Sequence, residues 1–186
     1  MDNFHEQLVK KYPGAKDNAL KLLIIFVSVA IFVLSVTGIV LFGFVPLIVI
    51  GGVGLYAGYF MLGFTVTEYE YAITNNDVDI DKITGKRSRK RLVSFKLSSV
   101  TDWGEYNENA GSDVDATVLA SDNSGYNLWY VVANTERNGK VMLLFTPDRD
   151  TLETMNASVP YQLRKKFPEK TAEKEEESGA SDDNNE

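Results

Sequence analysis

The sequence predicts a membrane-anchored, mainly β protein: a pair of transmembrane helices near the N-terminus, an antiparallel β-barrel or meander, and one C-terminal helix. Three observations carry that prediction. From Leu22 to Thr67 the chain has no Asp, Glu, Lys, Arg or His across 46 residues, and one bilayer crossing needs ~20 apolar residues. After Phe64 the hydrophobic period changes to two, with turn residues between the runs. Near the end Leu152, Met155, Val159 and Leu163 recur at helical spacing.

The uncharged run divides in two. Residues 22–41 and 47–64 are each long enough for a crossing, and Phe42-Gly43-Phe44-Val45-Pro46 between them carries a glycine and a proline that break helix. So short a connection makes the helices antiparallel neighbours. Lys10, Lys11, Lys16 and Lys21 precede the first helix; Lys82, Lys86, Arg87, Arg89, Lys90 and Arg91 follow the second; the turn carries no charge. By the positive-inside rule both termini face the cytoplasm, in a multi-pass protein of the cell membrane. The organisation expected is a cytoplasmic segment (1–21), the helical hairpin (22–64), a β domain (65–168) and a tail (169–186).

Within the second helix Gly51, Gly54 and Gly58 share one face, a stripe of small residues that lets helix backbones approach closely. Two partners suit it: the first helix, through Ser28 and Ser35, or a second copy of the chain in a homo-oligomer. Neither helix holds an ionisable residue of the kind that proton relays and ion pathways use. The helices are expected to anchor, not to transport.

Composition narrows the chemistry further. There is no cysteine, and the one histidine is His5, in the polar N-terminal segment. Disulfides and thiolate metal sites are thereby excluded, and a Ser-His-Asp triad within the β domain has no histidine to use. No catalytic residue, cofactor or metal site is expected. The net charge of −7 comes mostly from the tail, where eight acids stand against Lys170 and Lys174. That composition predicts a disordered tail. What remains is nearly neutral, which argues against a nucleic-acid binder.

In the β domain the strands are expected at Glu68–Ile73, Val78–Ile83, Arg89–Leu97, Val100–Trp103, Asp115–Ser121, Tyr126–Asn134 and Lys140–Thr146, forming an antiparallel meander. Asn75-Asn76, Thr84-Gly85-Lys86 and Asp122-Asn123-Ser124-Gly125 supply turn chemistry between them. At the last helix Thr146 can cap, Pro147 suits the first position, and Pro160 should kink or split the segment.

A curved meander closed by one helix looks like a pleckstrin-homology-like (PH-like) barrel. More specifically, EYEYAITNNDVDIDKITGKRSRKRLVSFKLSSVTDWGEY, Glu68 to Tyr106, resembles the opening of the soluble part of small bacterial membrane proteins in which a two-helix hairpin precedes a bacterial PH-like domain. The resemblance covers roughly residues 20–167. It implies fold and location, and carries no catalytic residues over.

The strongest local signal is Lys86-Arg87-Ser88-Arg89-Lys90-Arg91. The plainer reading is neutralisation across strands by Asp77, Asp79 and Asp81. The second is docking on anionic lipid headgroups, each cation near the leaflet contributing up to ~1 kcal/mol. Trp103, Tyr106, Tyr126, Trp129 and Tyr130 are mostly core, with a peptide groove as the lesser reading. Asp102, Glu105, Glu108, Asp113 and Asp115 cluster around a long loop without calcium-loop spacing. The function expected is a PH-like interaction module for a protein partner at the inner leaflet; the alternative is lipid-headgroup binding, and an enzyme is the weakest reading.

Overall fold

A computed structural model describes residues 4–167, apart from 109, 112, 136 and 137. The acidic tail, 169–186, lies outside the described residues. The chain opens with a strand that periodicity does not announce, β1 (Phe4–Lys10). Then come α1 (Ala15–Phe42), α2 (Leu47–Gly63), β2 (Thr67–Thr74), β3 (Asp77–Thr84), β4 (Ser88–Lys96), β5 (Val100–Glu105), β6 (Ala116–Ala120), β7 (Trp129–Thr135), β8 (Gly139–Phe145) and α3 (Arg149–Ser158).

β1 pairs antiparallel with β2, from Phe4↔Thr74 to Lys10↔Glu68, and the Lys11 amide extends the ladder to the Thr67 carbonyl at 3.0 Å. The N-terminal segment is therefore part of the β domain, and both long helices are an excursion between two neighbouring strands. Only Val9 of β1 is buried, so the strand shows little alternation of the kind that marks a strand in sequence.

α1 begins seven residues before the uncharged run. The Asp17 carboxylate accepts from the Gly14 amide at 3.1 Å and from Lys11 Nζ at 2.9 Å, which anchors the first turn. The helix ends at Gly43, whose φ of +67° gives the left-handed cap that a side chain would strain. Its 28 residues span about 42 Å at 1.5 Å each, long and apolar enough to cross a membrane. α2, with 17 residues, is the shorter apolar helix. The two run antiparallel: moving along α2 from Gly51 through Gly54 to Gly58, the facing residues on α1 step back from Ser35 through Ile31 to Ser28.

The remaining strands form two four-stranded sheets, ordered β1-β2-β3-β4 and β5-β7-β8-β6. No ladder joins them among the described residues, so the barrel is open there. The expected meander needs a second correction: β6 lies beyond β8 and runs parallel to it, from Ala116↔Val141 to Ala120↔Phe145. Because β7 fills the place beside β5, the chain after the 106–115 loop reaches the sheet at its far edge. Residues from both sheets build one core, with Tyr71, Ile73, Val78, Ile80 and Phe95 facing Trp103, Val131, Leu143 and Phe145.

α3 closes this core with Leu152, Met155 and Val159. Its cap is Asp148, which accepts from the Thr151 amide at 2.7 Å. Thr146, the expected cap, instead donates its hydroxyl to Asp122 at 3.1 Å. Helix stops before Pro160, as its ring requires, and a short 3-10 turn at Tyr161–Leu163 brings the Leu163 carbonyl to Trp103 Nε1 at 2.7 Å.

Candidate functional site

The basic run sits on the β3–β4 turn and the first half of β4, at the end of the sheet where the helices leave it. Its cations fall into two groups. Glu70 and Asp81 are buried, and a buried carboxylate needs a counter-charge. Arg89 supplies it to Glu70, lying also 3.9 Å from Asp81; Arg91 binds Asp81 and Asp79. The hydrogen bond that Arg91 donates to Asp81 holds the Arg91 pKa above its ordinary value. Cross-strand neutralisation thus accounts for these two arginines. Asp77 has no part in it, standing opposite Lys96 at the other end of β4. Glu70 is the partner that sequence reasoning misses, since Arg89 reaches it past the intervening β3.

Lys86, Arg87 and Lys90 form the second group, and none has a carboxylate partner among the described residues. Lys90 instead stands directly opposite Lys82. Arg87 lies over aromatic rings at the end of α2, its guanidinium carbon 4.6 Å from the Phe60 centroid and 5.9 Å from that of Phe64. Between the turn and that helix end is a crevice of about 360 Å³, lined by Tyr59, Phe60, Leu62, Gly63, Phe64, Gly85 and Arg87. Gly85 makes the approach possible. Its φ is +62°, and a Cβ there would stand 3.1 Å from the Gly63 carbonyl oxygen and 3.2 Å from Phe64 Cα.

The glycine face packs on α1. A Cβ on Gly51 would be 3.1 Å from that of Ser35, one on Gly54 2.7 Å from Ile31 Cγ2, and one on Gly58 would overlap the Ser28 hydroxyl. Those hydroxyls are satisfied within α1, Ser28 by Ile24 O at 2.7 Å and Ser35 by Ile31 O at 2.9 Å. The stripe is occupied within one chain.

The aromatic group separates. Trp103 and Trp129 are core, 5.6 Å apart and covered by Phe167, while Tyr106 and Tyr126 are exposed. No single groove contains the five. Tyr130 packs on the outer side of the second sheet with Val132 and Met142, under Ala110 and Val114 of the long loop. Burial, then its 2.8 Å hydrogen bond to Asp102, pushes the Tyr130 pKa up to about 12. Of the loop carboxylates, Asp102 is held by this bond, Asp113 lies 3.4 Å from Lys140 Nζ, and Asp115 accepts the Lys140 amide at 2.8 Å.

A larger groove, about 860 Å³, runs along the outer edge of β4 from Asp77 and Arg91 to Ser98 and Ser99, with Asn134, Thr135 and Asn138 opposite. β4 is the last strand of its sheet.

A family model described as bacterial PH-like domain (DUF6106) matches residues 1–165. The chain belongs to this bacterial PH-like domain family. The match takes in β1 and both long helices as well as the two sheets, so the bacterial PH-like domain is continuous with its helical excursion. No curated protein and no solved structure matches the chain.

Proposed function

We propose that this protein is a membrane-integral tether: α1 and α2 cross the bilayer as a hairpin and hold the bacterial PH-like domain at the cytoplasmic face, where it binds a protein segment. The reading is of a binding module, not an enzyme. The observation that carries it is the pairing of β1 with β2, which brings the start of α1 and the end of α2 to one edge of one sheet. A hairpin leaving and re-entering the same sheet puts both flanks on one side of a membrane.

The apolar surface supports the anchor. Leu22, Phe26, Leu34, Val40, Val49 and Tyr56 are all exposed, and soluble monomers rarely carry contiguous apolar patches above a few hundred Å². α2 is at the short end of the ~17–25 residues that span a bilayer. Lysines and arginines at both flanks, with none in the turn, favour the cytoplasmic side. For the partner, the groove along β4 offers an unpaired strand edge beside polar side chains, suited to a segment added in extended form.

The absence of native cysteine makes the topology directly testable. Glu6→Cys, Phe44→Cys and Tyr126→Cys would each be exposed to a membrane-impermeant maleimide in intact cells. Labelling confined to Phe44→Cys until the cells are lysed is expected. Labelling of Glu6→Cys or Tyr126→Cys from outside would refute the orientation. For the partner, a photo-crosslinking residue at Ser94 should give a discrete adduct in native membranes; the same residue at exposed Leu119 should not. Equal adducts at both positions would remove the groove from the reading.

A further inference from the structure

We infer that the crevice between the last turn of α2 and the β3–β4 turn is a binding site for the phosphate of an anionic membrane lipid, with Arg87 as its principal contact. The inference rests on the membrane-anchor reading and adds a ligand class to it.

Among the described residues, Arg87 is the only arginine of the basic run not committed to a carboxylate. Its guanidinium lies over Phe60, 4.6 Å from the ring centroid, and its side-chain N–H groups have no acceptor among the described residues. A planar guanidinium with unused donors is suited to bidentate phosphate recognition. The neighbouring charges have the same sign. Lys86 is at the exposed tip of the turn, and Lys90 and Lys82 face each other across β3 and β4 without a carboxylate between them. Like charges directly opposite destabilise a sheet; an anion at this end of it would offset their repulsion.

Position selects the source of the phosphate. The crevice floor is Phe60, Gly63 and Phe64, the final turn of the membrane helix, with exposed Tyr59 beside it. A tyrosine at a helix end belongs at headgroup depth. A lipid there can place its phosphate on Arg87 while its glycerol and upper acyl chain lie on the rings. A protein segment would have to enter the headgroup layer to reach the same place.

The test uses the full chain in detergent, with bound lipid counted by native mass spectrometry after exposure to phosphatidylglycerol or phosphatidylcholine. Retention of phosphatidylglycerol should exceed that of phosphatidylcholine by roughly tenfold, as a few cations near a phosphate allow. Arg87→Gln with Lys86→Gln should remove the preference, and Lys96→Glu, an equal change of two charges at the far end of β4, should leave it intact. Equal retention of the two lipids, or a preference surviving the double variant, overturns the inference. So does displacement of the lipid by inorganic phosphate at comparable concentration, which would identify a soluble ligand. Alkaline carbonate extraction of the same membranes tests the underlying reading separately. A chain that stays in the membrane without a lipid preference defeats only the site, whereas a chain that is stripped off defeats the anchor and the site together.

Discussion

The Tyr71 hydroxyl, on β2, donates to the carbonyl of Ala120 at the end of β6, and so links two sheets that share no backbone ladder. The same oxygen accepts the Thr146 amide at 3.3 Å. Tyr71 is almost wholly buried, its ring edge-on to Phe145 at 5.6 Å. One hydroxyl therefore satisfies a donor and an acceptor where the barrel stays open.

Tyr71→Phe keeps the ring and leaves both backbone groups without that partner. Stranded buried polar groups cost about 1–3 kcal/mol. Both tryptophans of the chain, Trp103 and Trp129, are in this core, so their fluorescence reports unfolding of the domain. A denaturation midpoint lowered accordingly is expected, and an unchanged one would show that water replaces the hydroxyl.

Alkaline stability follows from the raised tyrosines. Burial pushes Tyr71 up, and burial with the Asp102 hydrogen bond pushes Tyr130 to about 12. An unfolded tyrosine ionises near pH 10. Below that pH both states hold the proton and the stabilisation is fully present. Between pH 10 and about 12 only the unfolded chain releases the Tyr130 proton, so stability falls as pH rises. Midpoints measured at either end of that window should drop in the wild type and drop less in Tyr130→Phe.

Two glycines of α2 separate packing from helix propensity. Gly58→Ala drives a Cβ into Ser28, while Gly52→Ala meets nothing within 4 Å. Overpacking costs about 1–3 kcal/mol, and an alanine in open helix gains about 1 kcal/mol over glycine. Thermal unfolding in detergent should therefore shift down for Gly58→Ala and slightly up for Gly52→Ala. Equal shifts would mean that the helices do not meet at this stripe.

Much of the fold was legible because its signals are local. The uncharged run, Gly43 and Pro46 between the helices, the Asn75 and Gly85 turns and the stripe from Leu152 to Val159 each fall within one segment. What escaped depends on distant pairing. β1 carries Phe4 and Leu8 on its exposed face and His5 and Gln7 on the inner one, and its partner lies some sixty residues on, so neither period nor turn chemistry reveals it. β6 reads as one more meander strand because nothing in Ala116–Ala120 specifies the far side of β8. Thr146 is a reasonable cap until Asp122, brought close by folding, takes its hydroxyl. The basic run was visible as a charge cluster, but its division was not, since burial of Glu70 and Asp81 decides which arginines are committed.

β1 also makes a prediction about α3. Gln7 Oε1 accepts from the Asp148 amide at 2.9 Å and from the Thr151 hydroxyl at 2.8 Å, while its Nε2 donates to the Thr146 carbonyl at 3.3 Å. His5 Nε2 lies 3.0 Å from the same Thr151 hydroxyl. Gln7→Ala should release the N-terminal turn of α3 at a cost of about 1–3 kcal/mol. Hydrogen exchange is the suitable probe: amides of residues 149–152 should exchange faster while those of β7 are unchanged. Unaltered protection at α3 would show that β1 does not hold the helix.

The opposed lysines predict a conflict between stability and binding. Lys82 and Lys90 repel across β3 and β4, and replacing like charges by an opposite pair in this position is worth about 0.2–1 kcal/mol. Lys90→Glu should therefore raise the unfolding midpoint of the full-length protein in neutral detergent. The same substitution takes two units of positive charge from the basic run that carries Arg87, so retention of phosphatidylglycerol over phosphatidylcholine should fall. Opposite effects of one lysine on stability and on lipid retention would follow from the inferred lipid site. If Lys90→Glu stabilises the protein and leaves lipid retention unchanged, the lysine pair has no part in binding, and the crevice must act through Arg87 and Lys86 alone.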